Sequence, residues 1–162
     1  MAKKRKSSGA KKFLSYVKYG AILFGIVGVV MAAFAFVKYG DSAFSGFQVI
    51  FGYTGKVDFL GAVSLNTKVL SFSIMALLAV LLPLIGAFSV ACKNKIVRLV
   101  GALLMIVGCV LSFLVPNFIV FAKDAYATIA SGIGASLGVG AILSGVFFGL
   151  GALCNLYAVV EK

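Results

Sequence analysis

The sequence predicts an all-α transmembrane fold: a four-helix membrane bundle with a small β-hairpin or sheet on its outer side. Three observations carry that expectation. Four long stretches are free of charge, 62% of the residues are hydrophobic against 12% charged, and the fifteen Lys and Arg are placed asymmetrically. A water-soluble domain of 162 residues carries roughly 25% charged residues to solvate its surface, and so small a domain has no interior large enough for this much apolar surface. With a mean hydropathy of +1.15, the solvent for most of the chain is expected to be lipid.

The elements follow in order. Residues 1–18 form a basic cytoplasmic tail holding Lys3, Lys4, Arg5, Lys6, Lys11, Lys12 and Lys18. Residues 19–160 form the membrane domain, with spans at 19–37, 69–91, 97–115 and 135–158. About 20 apolar residues suffice to cross a hydrocarbon core of roughly 30 Å. Residues 38–68 and 116–134 are outer loops, and 92–98 is a tight inner turn that makes spans 2 and 3 an antiparallel hairpin. Pro116 is expected to end span 3, because the residue before a proline avoids helical geometry.

Basic residues accumulate in the cytoplasmic connections of membrane proteins. The tail, the inner turn (Lys93, Lys95, Arg98) and Lys162 hold eleven, against four on the other side (Lys38, Lys56, Lys68, Lys123). Three of the four acidic residues, Asp41, Asp58 and Asp124, share the poorer side. The expectation is a multi-pass protein of the cell membrane with both termini cytoplasmic. A competing reading takes the N-terminus as a secretory signal, with Ala33-Phe34-Ala35 as the cleavage site. Its apolar stretch exceeds the usual 7–15 residues.

The first outer loop is too apolar for a plain linker. Its segment FQVIFGYTGKVDFLGAVSL is rich in β-branched and aromatic residues, which predicts two short strands around Thr54-Gly55-Lys56. The later FIVFA reads as a third strand or an interfacial segment, and irregular loop is the alternative for all three. Phe44, Phe47, Phe51, Tyr53 and Phe59 give this loop a density of aromatics that marks a candidate partner surface.

Helices in lipid associate through close packing, so small residues mark contact faces. Ala21, Gly25, Gly28 and Ala32 in span 1 recur every three or four residues, as do Gly138, Ala141, Gly145 and Gly149 in span 4. The two ladders are expected to pack, most simply against each other, and homo-oligomerisation through one of them stays open. Pro83 is expected to kink span 2.

Reactive chemistry finds little footing. With no histidine, the usual general base and commonest metal ligand are missing, and the acidic residues form no pair. Cys92, Cys109 and Cys154 lack C-x-x-C spacing for zinc or redox work. Gly132-Ile133-Gly134 and Gly138-Val139-Gly140 lack the context of phosphate loops. No charge lies inside the spans, which argues against a coupled transporter. Asn155 and Tyr157 read as polar ends of span 4. No enzyme, cofactor or metal is expected. The tail is expected to touch anionic headgroups, at roughly 1 kcal/mol per basic residue, with nucleic acid disfavoured for want of a folded platform.

The basic N-terminus, β-prone outer loop and proline in span 2 together resemble small, uncharacterised four-span membrane proteins of bacteria. The long first outer loop and tight inner turn also resemble the layout of claudin-type tetraspans. The claudin tryptophan and cysteine signature is absent, with no Trp in the chain and no Cys in 38–68, so that likeness is architectural. Two function classes remain. One is a structural, interaction or accessory-subunit protein with a membrane-protein partner. The other is a passive channel or small-molecule carrier acting as an oligomer, for which the spans offer only serines.

Overall fold

The computed structural model describes residues 8–40, 42–59 and 63–160, with the side chains of 8–11, 56–59, 63–66, 125, 126 and 129 also outside the description. Helix α1 (Ser8–Met31) leads into strands β1 (Ala35–Tyr39) and β2 (Ser42–Ser45), a short helix α2 (Gly46–Phe51), and strands β3 (Tyr53–Phe59) and β4 (Val63–Leu70). Helices α3 (Ile74–Ser89) and α4 (Lys95–Leu114) follow, then a 3-10 turn (Val115–Phe118), α5 (Asp124–Ile133), β5 (Ala135–Leu137) and α6 (Val139–Val160). Three helices are long and apolar enough to cross a membrane: Lys12–Met31, Lys95–Phe118 and Val139–Val160. The fourth apolar helix, α3, has 16 residues.

α3 packs on α4, α4 on α6, α6 on α1 and α1 on α3. Small residues line the contacts: Ala21, Ala32, Ala76, Ala79, Ala87, Ala102, Ala141, Ala152 and Ala158 are buried, while Leu23, Ile26, Leu81, Leu103, Ile106 and Leu153 are exposed. Soluble cores have the opposite arrangement. Small residues inside and large aliphatics outside are compatible with lipid around the helices.

Element boundaries differ from the expected spans, each for a local reason. The chain at 19–37 is not one helix. α1 occupies Ser8–Met31, so residues 8–18 of the expected tail are helical, and i→i+3 bonds such as Phe34 N–H to Met31 carbonyl (3.1 Å) tighten its end. Ala35–Tyr39 is then drawn into a sheet of order β2-β1-β5, pairing Lys38 with both Ala43 and Ser136. Residues 69–70 belong to β4, because Ser73 caps α3 by accepting from the Ala76 N–H. α4 starts two residues early, at an Asn94 cap that accepts from the Ile96 N–H. Pro116 sits in the opening turn of the 3-10 segment, where its missing donor is tolerated.

The expected start of span 4 at 135 is also corrected. Gly134, at φ 78°, ends α5 in a conformation that glycine adopts without a Cβ clash, and 135–137 pair as β5 before α6 begins. The expected loop 116–134 thus contains a ten-residue helix with Asp124 in its first turn, where a carboxylate suits the helix dipole.

Within the first loop, Phe47–Phe51 is helix rather than strand. Ser45 and Gln48 form a reciprocal capping box: the Ser45 N–H donates to Gln48 Oε1 (2.9 Å) and the Gln48 N–H to Ser45 Oγ (3.3 Å). Thr54, Gly55 and Lys56 lie inside β3, opposite Lys68, Thr67 and Asn66, rather than between the two strands; residues 60–62, which join them, lie outside the described residues. The FIVFA segment adds a rung to β4. Phe121 bridges Leu70, and the Ser71 and Ala122 N–H groups donate to Val120 and Val69 (2.8 and 3.0 Å).

The small-residue ladders divide among several neighbours. Gly28 lies against the Phe148 ring of α6, where Ser144 Oγ also donates to the Gly28 carbonyl (2.7 Å). Gly25 faces Ala87 of α3 and Met105 of α4, and Ala32 faces Gly46 of α2, whose N–H donates to it (2.7 Å). Ala21 is buried, its carbonyl beside Gly151. Gly138, just before α6, meets the backbone of Ala35; on α6, Ala141 is buried, and Gly145 and Gly149 face Phe113 and Cys109 of α4. Pro83 is buried inside α3, and Gly108 of α4 packs on its ring.

Candidate functional site: an aromatic groove beside the sheet

The hairpin β1–β2 turns at Gly40, whose φ of 55° suits a tight two-residue loop between the paired Tyr39 and Ser42. This sets Tyr39 beside Phe44. After α2, Gly52 (φ 91°) turns the chain into β3, in a place where a Cβ would strike the Leu70 carbonyl at 2.7 Å. Tyr53 is thereby delivered opposite Leu70 and next to Phe44. The rung at Phe121 closes the set.

The four rings form one edge-to-face chain. Tyr53 and Phe44 centroids are 5.7 Å apart, Phe44 and Tyr39 6.5 Å, and Tyr39 and Phe121 5.7 Å, with interplanar angles of 65–67°. Edge-to-face pairs of this kind add about 0.5–1.5 kcal/mol each beyond their buried area.

The chain of rings floors a groove. A depression of about 370 Å³ is lined by Phe44, Tyr53, Gln48 and Ser42. It shares Ser42, Phe44 and Val69 with one of about 160 Å³, which in turn shares Tyr39, Phe121 and Ala130 with a third of about 290 Å³. Among the described residues, none of those lining these depressions is charged. Burial raises the Tyr39 phenol above its ordinary value, keeping it neutral. The groove therefore offers aromatic faces rimmed by hydroxyl and amide groups, which is equipment for binding.

The five sequence-predicted surface aromatics separate. Phe44 and Tyr53 are half-buried in the groove. Phe47 and Phe51 lie on α2, exposed by 43% and 66%, and line none of the three depressions. The Phe59 side chain is outside the described residues. Tyr39 and Phe121 are absent from the expected surface: Tyr39 lies at the start of the loop 38–68, ahead of its aromatic-rich segment, and Phe121 belongs to the separate FIVFA segment. The Gly40-Asp41 pair between alternating residues was the available signal for the hairpin that presents Tyr39.

At the opposite end of the helices lies a polar set that the sequence placed differently. Asn155, expected to snorkel or to make a helix-end hydrogen bond, is fully buried, with Nδ2 donating to Gly86 carbonyl (3.0 Å) and Ser89 Oγ (3.2 Å). Tyr157 stacks edge-on against Phe13 at 5.7 Å. Arg98, 9% exposed, donates from Nε to the Cys92 carbonyl (2.7 Å) and from Nη1 to the Ala158 carbonyl (3.1 Å). Cys92 is exposed, and Cys109 and Cys154 are partly buried rather than fully so. Among the described residues, no three His, Cys, Asp or Glu gather in a metal-binding group.

No protein-family model matches the chain, and neither the curated proteins nor the solved structures contain a significant match.

Proposed function

We propose that this chain is a four-crossing membrane protein that acts without catalysis, as an interaction or accessory subunit, and presents the aromatic groove to a membrane-protein partner. The observation that carries this reading is the groove floored by the rings of Tyr39, Phe44, Tyr53 and Phe121, whose described lining residues carry no charge. Aromatic residues are enriched at the centres of protein interfaces and supply much of their energy.

The four-crossing bundle is supported by the packing of α3 among three helices of membrane-spanning length and by the exposed aliphatics around them. The eleven-to-four split of basic residues supports cytoplasmic termini and a cell-membrane location, with the groove on the outer side and the basic tail at anionic headgroups. An accessory rather than conducting role is supported by the serines of the spans. Ser112 Oγ donates to Gly108 carbonyl (2.9 Å) and Ser144 Oγ to Gly28 carbonyl, so their donors are engaged between or within helices.

A photo-crosslinking amino acid at Tyr53, compared with one at Leu103 on the exposed face of α4, tests the reading in native membranes. A discrete protein adduct is expected at Tyr53, absent at Leu103 and lost with Phe121→Ala. An adduct of twice the chain's mass identifies a second copy as the partner. Identical lipid adducts at both positions overturn the proposal. Purified protein in vesicles is expected to leave ion permeability at the level of empty vesicles.

A further inference from the structure

α3 has 16 residues, a length of about 24 Å at 1.5 Å per residue. A bilayer's hydrocarbon core is roughly 30 Å thick. As a crossing helix it is short by about one turn, and the question is what continues it at the Ser73 end.

The hydrogen bonds answer it. Ser73 is 2% exposed, and its N–H donates to the Ile50 carbonyl of α2 (3.0 Å) while its hydroxyl donates to the Phe118 carbonyl (2.8 Å). α2 is thus fastened to the head of α3. It buries Gly46, Val49 and Ile50 toward the protein and leaves Phe47 and Phe51, four residues apart, exposed. Phe72, Ile74 and Met75 are exposed at the same helix end, continuing the exposed stripe of Leu81, Ile85 and Phe88 down α3.

The backbone at α2 is furnished for an apolar solvent. Its one polar side chain, Gln48, is engaged with the Ser45 N–H, the Gly46 N–H reaches the Ala32 carbonyl, and the Gly52 N–H reaches the Gln48 carbonyl (2.9 Å). Irregular backbone at membrane depth is tolerated when its polar groups are satisfied by protein in this way.

We propose that α2 is an embedded extension of α3, with Phe47 and Phe51 seated in lipid hydrocarbon just beneath the headgroups. This rests on the membrane reading above and adds an anchoring site to it. It separates two kinds of aromatic in one loop: Phe44 and Tyr53 serve the groove, and Phe47 and Phe51 serve the bilayer.

The chain contains no Trp, so single variants Phe47→Trp, Phe51→Trp and Leu103→Trp each carry one emitter of that class. The full-length protein is placed at low density in phosphatidylcholine vesicles holding a spin-labelled lipid, the label near the headgroup or near the acyl terminus. Trp at 47 and 51 is expected to emit at blue-shifted wavelengths, to resist iodide, and to be quenched most by the shallow label. Trp at 103 is expected to favour the deep label. Iodide quenching at 47 and 51 with deep-label quenching retained at 103 overturns this inference and leaves the membrane reading intact. Protection at 47 and 51 from iodide and both lipid labels means a second copy covers α2, and also overturns it. Iodide quenching at 103 overturns the membrane reading and the inference together.

Discussion

The Asn155 amide on α6 donates to the Gly86 carbonyl on α3 across 3.0 Å, in a fully buried setting where its own Oδ1 has no partner among the described residues. The Gly86 carbonyl also accepts from Ser89 Oγ at 2.6 Å, so it keeps a donor if Asn155 is removed. Asn155→Leu therefore removes a buried, half-satisfied amide without orphaning the Gly86 carbonyl, and a change within about 1 kcal/mol is expected. Asn155→Ala adds a cavity and costs more, on the order of 2 kcal/mol. Asn155→Asp places an unpaired carboxyl there and costs the most. Thermal unfolding in one detergent ranks the three, and equal midpoints would contradict the bond's assigned role.

Gly108 and Gly149 provide a sharper contrast. An added Cβ at Gly108 strikes the rigid Pro83 ring, whereas one at Gly149 sits in ordinary contact with Cys109 Sγ at 3.7 Å. Gly108→Ala is expected to destabilise by about 1–3 kcal/mol through overpacking. Gly149→Ala is expected to be neutral or to stabilise by up to about 1 kcal/mol, through helix propensity. Chemical unfolding of both variants in mixed micelles reads the difference.

Arg98 bridges two helix ends, donating to the Cys92 carbonyl after α3 and to the Ala158 carbonyl near the end of α6, where carbonyls run short of helical partners. The C-terminal dipoles of α3 and α6 favour its charge, against the N-terminal dipole of its own helix α4. Lysine has no planar fork to reach both carbonyls. Arg98→Lys is expected to lose about 1–2 kcal/mol and Arg98→Ala more, each hydrogen bond from a charged donor being worth about 1.5–3 kcal/mol. A reporter fused to the C-terminus is expected to keep its orientation in both, since ten other basic residues remain on that side.

Tyr39 gives the alkaline limit. Its folded pKa is raised by burial, so the fold favours the neutral phenol. The associated stability is complete below the ordinary phenol value of about 10 and is lost as pH rises through the higher folded value. The difference between wild-type and Tyr39→Phe phenolate absorbance is expected to titrate later than that of free tyrosine. A curve at or below the free value would show that Tyr39 is solvated.

The long apolar helices were legible because an uncharged stretch of about 20 residues has the length and composition of a membrane-crossing helix. Their ends were not, because they are set by single residues: Ser73 and Asn94 as caps, Gly134 as a stop. The capping box of Ser45 and Gln48 was present in the sequence as S-x-x-Q, yet the β-branched and aromatic content of FQVIF outweighed it. The small-residue ladders were visible, but spacing alone does not say which neighbour each glycine meets. Gly28 faces α6 while Gly25 faces α3 and α4. Arg98 illustrates a double reading: a topology signal in the sequence is a buried clamp in the fold. The groove was least legible, because its rings come from four separate stretches.

β1 lies between β2, which follows it at once, and β5, which the ribosome adds about a hundred residues later. Pairings so distant in sequence close late, after the intervening chain exists. During synthesis β1 therefore waits with one edge uncovered, the kind of edge that recruits stray strands. Arrival of Ala135–Leu137 covers it and joins the exit of the first long helix to the entrance of the last. A chain stopped before residue 135 is therefore expected to leave that edge open to proteases, which pulse-chase of such a truncation would reveal.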